Sequence, residues 1–125
     1  FKPNRTAFDW LSRDPQEVDR YVADPLCGFR CSNQLWIDLL GGLEDITPTQ
    51  HLARIGKDLP LLIVGGERDP VSQGRRLRDL AAAMTRAGVR DVQMQIYLEA
   101  RHEVFNETNR DEVIAHLAAW LRRVA

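Results

Sequence analysis

The sequence predicts an α/β protein built on a strand, a helix and a second strand running parallel to the first, with one more helix after them and a helical, loop-rich segment before. Three observations predict it. Leu59-Pro60-Leu61-Leu62-Ile63-Val64 is a continuous apolar run ending in Gly65-Gly66, the pattern of a strand covered on both faces in a parallel sheet. Residues 74–87 carry Leu77, Leu80, Ala81 and Met84 on one helical face, and Gly88 sits where a C-terminal stop belongs. Val92, Met94, Ile96 and Leu98 then alternate with Gln93, Gln95 and Tyr97, the period of a strand with one apolar and one polar face at or near a sheet edge.

The remaining elements follow from caps and spacing. Residues 1–14 show no sustained period and read as an irregular lead-in. Asp14-Pro15 is an N-cap followed by Pro in the first turn, and Val18, Tyr21 and Val22 recur at helical spacing up to Asp24-Pro25. Ser32 caps a second helix in which Leu35, Trp36, Leu39, Leu40 and Leu43 form an apolar stripe expected to be buried. Gly41-Gly42 weakens its end, and Thr47-Pro48 restarts a short helical turn around His51, Leu52 and Ile55. Asp69-Pro70 closes the turn after the first strand. A last helix over residues 109–124 turns Val113, Ile114, Leu117, Ala118 and Leu121 inward, with Asp111 and Glu112 in its first turn and Arg122 and Arg123 in its last.

Composition limits the function classes. A length of 125 residues allows one domain. A hydrophobic fraction of 44% and a charged fraction of 28% exclude collagen-like, disordered and low-complexity chains. Seventeen basic residues against eighteen acidic ones leave no field for nucleic acid or anionic lipid. No apolar run approaches the roughly 18 residues that span a bilayer, so a soluble protein without integral membrane contact is expected. Two cysteines are too few for a secreted disulfide scaffold, which favours a reducing, cytoplasmic setting. The chain starts at Phe1 without an initiator Met, so a processed or excerpted segment is expected.

Strand pairing carries the chemistry. If the two strands are neighbours, a right-handed crossover joins them and both carboxyl ends lie on one edge, where ligands of open α/β sheets bind. Asp69 and His102 occupy the two loops that leave that edge. Such a carboxylate fixes the tautomer of the imidazole and stabilises its charged form, leaving Nε2 as a base. The bland reading stands beside it: Asp-Pro is a common turn starter, and a loop His is often a surface hydrogen bonder.

The stretches Leu61-Leu62-Ile63-Val64-Gly65-Gly66-Glu67-Arg68-Asp69-Pro70-Val71, Ala100-Arg101-His102-Glu103 and Asn106-Glu107 resemble the acid turn and histidine loop of α/β-hydrolases of the monoacylglycerol lipase, lysophospholipase and S33 serine aminopeptidase type. Phe8-Asp9-Trp10-Leu11-Ser12-Arg13-Asp14 and Asp24-Pro25-Leu26-Cys27-Gly28-Phe29 resemble that family's lid. The resemblance implies the C-terminal part of an α/β-hydrolase fold (βαβα, parallel strands), with residues 1–56 as a helical lid segment and residues 57–125 as part of the core. It implies Asp69 as triad acid, His102 as general base, and a carboxylic-ester or lipid substrate under the lid. Trp10 and Phe29, by their lid-like context, are candidates to line the substrate pocket.

Two departures stand out. Glu99 occupies a position that is usually Gly in the family's histidine loop. No Gly-x-Ser-x-Gly occurs, and Ser12, Ser32 and Ser72 lack the strand-to-helix context that such a nucleophile needs. In family order the nucleophile precedes the acid, so a serine upstream of residue 1 is expected. Two readings therefore compete: a serine hydrolase of which this chain holds acid and base, and a non-catalytic scaffold serving binding or self-association. The proposed chemistry requires no cofactor. Cys27 and Cys31, with only His51 as a further ligand candidate nearby, do not make a four-ligand zinc site and read as structural thiols. His51 and His116 read as surface or helix-packing residues, and Trp36 and Trp120 as core residues.

Overall fold

The computed structural model describes residues 1–125. Helices α1 (Pro15–Ala23), α2 (Asn33–Ile46) and α3 (Thr49–Leu52) precede strand β1 (Leu61–Gly66), helix α4 (Arg75–Arg86), strand β2 (Val92–Tyr97), a 3₁₀ turn (Val104–Asn106) and helix α5 (Arg110–Val124). The caps form where the side chains allow. Asp14 accepts from the Gln16 amide at the start of α1, and Ser32 accepts from the Leu35 amide at the start of α2. Helix α2 continues through Gly41-Gly42 to Ile46, because a mid-helix glycine costs only about 1 kcal/mol relative to alanine and removes no donor.

The strands pair in parallel as a two-stranded sheet, with Leu61 opposite Val92, Val64 opposite Gln95 and Gly66 opposite Tyr97. Helix α4 packs against both strands. Helix α5 faces Gln93, Gln95 and Tyr97, the polar side of β2, together with Leu62 and Val64, and leaves a cleft of about 310 Å³ between them. The small core lies at the carboxyl end of the sheet, where Tyr97, Ala100, Val104 and Val113 are buried and Val64 packs against them. Leu11 and Val18 are buried as well, which anchors the N-terminal segment.

The structure corrects several burial expectations. Leu35, Trp36, Leu39, Leu40 and Leu43 are between 43% and 59% exposed, so the α2 stripe, Trp36 included, is not core. The physical reason is the lack of a partner: α2 meets α3, and no other part of the chain covers its apolar side. Residues 61–64 are half-buried rather than covered on both faces, because the sheet has only two strands and α5 stands off from it. On α5, Val113 is buried while Ile114 and Leu121 are exposed. No helix is long and apolar enough to cross a membrane.

An unpaired sheet edge and an uncovered apolar helix are templates for association. This 125-residue chain on its own is expected to self-associate in sedimentation experiments at micromolar concentration; a monodisperse monomer with cooperative thermal unfolding contradicts this.

Candidate active site

The two loops that leave the carboxyl edge of the sheet are tied together by backbone bonds before either side chain is considered. The Glu67 amide donates to the Tyr97 carbonyl at 3.0 Å and the Arg68 amide to the Ala100 carbonyl at 2.9 Å. Gly66 is where this approach is closest, since a Cβ there would collide with the carbonyl oxygens of Ala100 and Arg101. At Gly65 the obstacle is the tip of the Leu77 side chain instead. The second loop turns through Glu99 at φ +58°, the left-handed conformation that glycine adopts most cheaply, so Glu99 keeps the backbone of the turn at a cost of roughly 1–2 kcal/mol. Its side chain pairs with Arg68 across the two loops.

Asp69 lies three residues beyond β1 in a self-made turn. Its Oδ1 accepts from the Val71 amide at 2.9 Å, and its Oδ2 accepts from the Ser72 amide at 3.2 Å and the Ser72 hydroxyl at 2.6 Å. The remaining contact is with His102, whose Nδ1 donates to Oδ1 at 3.0 Å. Burial pushes the Asp69 carboxyl up, but the bonds from Ser72 and Val71 and the neighbouring imidazole together outweigh it and hold the acid below its ordinary range. The Asp69 side chain is 7% exposed and that of His102 is 38% exposed, so the acid is buried while the imidazole reaches the surface. An imidazole oriented through Nδ1 by a buried carboxylate is equipped to take a proton at Nε2 and to be stabilised once charged.

The His102 loop is held from the other side by residues 9–14. The His102 amide donates to the Trp10 carbonyl at 3.4 Å and the Glu103 amide to the Leu11 carbonyl at 2.8 Å. The Trp10 ring tilts against the imidazole at a centroid distance of 5.1 Å. Trp10, Phe1, Pro70 and Val71 line an open hollow of about 460 Å³ beside the pair. Thus Asp69, His102 and Trp10 come together. Phe29 is 65% exposed on the loop between α1 and α2 and does not line this hollow.

Sequence reasoning missed Ser72 as the hydroxyl donor that braces Asp69; the signal was a hydroxyl three residues after an acid in a turn. It also missed the role of Glu107, which is fully buried and joins the two segments. Cys27 and Cys31 are free thiols, and burial, with Asp24 and Glu103 nearby, pushes the Cys27 thiol up. No group of three His, Cys, Asp or Glu side chains is placed to hold a metal ion.

Parallel strands joined by a crossover helix, with a carboxylate and an imidazole meeting at their carboxyl edge, define the C-terminal part of an α/β-hydrolase fold. Residues 1–109 match the family model for serine aminopeptidase, S33, and the chain belongs to that hydrolase family. The monoacylglycerol lipase of Mycolicibacterium smegmatis is 33% identical over 116 residues, which are 90% of this chain and 38% of that protein. A highly thermostable carboxyl esterase from Bacillus coagulans, solved in complex with glycerol, superposes with a TM-score of 0.87 at 25% identity, covering 98% of this chain and 40% of that one. A monoacylglycerol lipase from Paleococcus ferrophilus gives 0.73 at 28% identity over 93% of this chain and 43% of its own. The chain spans about two fifths of the length of these relatives.

Two outcomes follow from the geometry. Gly66→Ala is expected to cost about 3 kcal/mol or more, because the obstructing atoms are backbone. Gly65→Ala is expected to cost less, because the Leu77 tip can move; denaturant unfolding of the full-length variants measures both. The lowered Asp69 carboxyl has a sign as well. A folded-state value below the unfolded one, about 3.9, contributes stability that is complete above that value and is lost as pH falls through the folded one. The stability gap between wild type and Asp69→Asn is therefore expected to narrow as pH falls below about 4 and through the folded value. A gap that widens with acid contradicts it.

Proposed function

We propose that this chain is the lid and C-terminal part of a serine hydrolase that cleaves carboxylic esters such as monoacylglycerols or lysophospholipids. The observation that carries the reading is the 3.0 Å bond between His102 Nδ1 and a buried Asp69 at the carboxyl edge of parallel strands. In this reading residues 1–56 are the lid segment and residues 57–125 belong to the core. A serine preceding residue 1 supplies the nucleophile. His102 Nε2 takes the proton of that serine as it attacks the ester carbonyl and returns it to the departing alcohol; water repeats the cycle on the acyl-enzyme. Asp69 holds the tautomer and stabilises the imidazolium, and Ser72 keeps the Asp69 carboxylate aimed. No metal or redox cofactor enters these steps.

The substrate class rests on two supports. The relatives are named as monoacylglycerol lipases and a carboxyl esterase. The hollow beside His102 is lined by Phe1, Trp10, Pro70 and Val71, which suits an acyl chain or an aliphatic alcohol. Trp10 is the substrate-contacting residue of this reading. Phe29, exposed on the loop between α1 and α2 of the lid segment, is the second candidate for substrate contact. The two free thiols fit a reducing cytoplasm.

Fluorophosphonate labelling of the full-length protein, with peptide mass spectrometry to locate the adduct, tests the proposal. The expected result is a label on a serine preceding residue 1, with ester turnover reduced on the order of 10⁶-fold by His102→Ala. No label on well-folded protein favours a non-catalytic scaffold for binding or oligomerisation, and retained turnover in His102→Ala removes His102 from the base role.

A further inference from the structure

We propose that Glu107 is a positioning residue for His102, clamping the base-bearing loop to residues 9–14 through Arg13; the inference rests on the reading of His102 as general base. Glu107 is 0% exposed and takes no part in the Asp69–His102 pair. Its Oε1 accepts the Arg101 amide at 2.7 Å and the Arg13 amide at 3.2 Å. Its Oε2 accepts the Arg13 Nε at 2.7 Å and the Thr108 amide at 3.1 Å. A buried carboxylate persists only where it is paired and hydrogen-bonded, and here the four donors come from two segments 94 residues apart. The group therefore sets the distance between them.

What lies across that distance is the imidazole. His102 follows Arg101, whose amide is held by Glu107, and its own amide rests on the Trp10 carbonyl. The Arg101 guanidinium reaches the carbonyls of Asp9 and Ser12, and the Ser12 hydroxyl reaches the Asn106 carbonyl at 2.7 Å. Arg13 also donates to Asn109 Oδ1 at 2.7 Å. Asp69 is braced within its own turn, whereas the backbone of His102 is braced by residues that Glu107 gathers. Because α1 begins at Pro15, two residues after Arg13, the clamp also gives the first helix and the base one shared anchor. Arg110, paired with Asp14 and Glu17, reinforces it from α5.

The test compares Glu107→Gln in two backgrounds of the full-length protein, wild type and His102→Ala, with a short soluble nitrophenyl ester and assays run well below the measured melting temperature of each variant. Glutamine keeps the size of the side chain but sets an amide NH₂ against the donors of Arg13 and Thr108. The expected result is a kcat lowered about tenfold or more with KM within about twofold, and less than about a twofold change of the residual rate once His102 is already alanine. An effect that passes through His102 vanishes with His102, whereas a loss of folded or active protein multiplies both backgrounds equally. Equal factors in the two backgrounds, or a raised KM with unchanged kcat, overturn the proposal. Should Glu107→Gln not fold, Arg13→Lys keeps the charge but cannot reach Glu107 and Asn109 together, and the same pattern is expected from it. Full turnover in His102→Ala alone refutes the base reading and this inference with it; turnover lowered there to the residual rate, with Glu107→Gln silent in the wild-type background, refutes this inference only.

Discussion

The parallel register of β1 and β2 is the constraint on which the rest of the structure depends. Gly66 and Tyr97 are opposite each other at the last paired position, so both loops leave the sheet at the same level. Moving one strand by a single residue would displace its loop by roughly 3.3 Å and turn every side chain on it to the other face. Either change exceeds what the bond from His102 to Asp69 tolerates. The backbone bonds from Glu67 and Arg68 into the second loop extend the register past the strands, and Gly66 makes room for them by having no side chain.

Carboxylate and imidazole are then supported in different ways. The Asp69 carboxylate is braced locally, by three donors from Val71 and Ser72. The His102 loop depends on residues 9–14 and on the buried Glu107, which are distant in sequence and belong to the lead-in of α1. The site is thus assembled from a locally braced carboxylate and an imidazole whose bearing is set by long-range contacts. Movement of the first segment reaches the imidazole through the Trp10 ring and the Trp10 and Leu11 carbonyls.

The exposed surfaces are as informative as the buried ones. The chain has a small core and a helix whose Leu35, Trp36, Leu39, Leu40 and Leu43 face outward. The hydrolases it resembles are longer, and this chain spans about two fifths of their length. Periodicity showed that α2 has an apolar side, but periodicity does not state what covers it. The same holds for β1, where a continuous apolar run described a strand suited to full burial that these 125 residues bury by half.

By itself the sequence determined the order and type of the elements, because caps at Asp14 and Ser32, the stop at Gly88 and the switch from helical to two-residue periodicity are local signals that local backbone physics obeys. It also placed Asp69 and His102 one strand and crossover apart, and that separation suffices for them to meet once the strands pair. Only the tertiary structure decided the rest: Trp10 against the imidazole, Arg13 on Glu107, Phe29 away from the hollow. Contacts between residues some ninety positions apart have no counterpart in any short pattern. They arise because a buried charge must find its donors wherever the fold brings them.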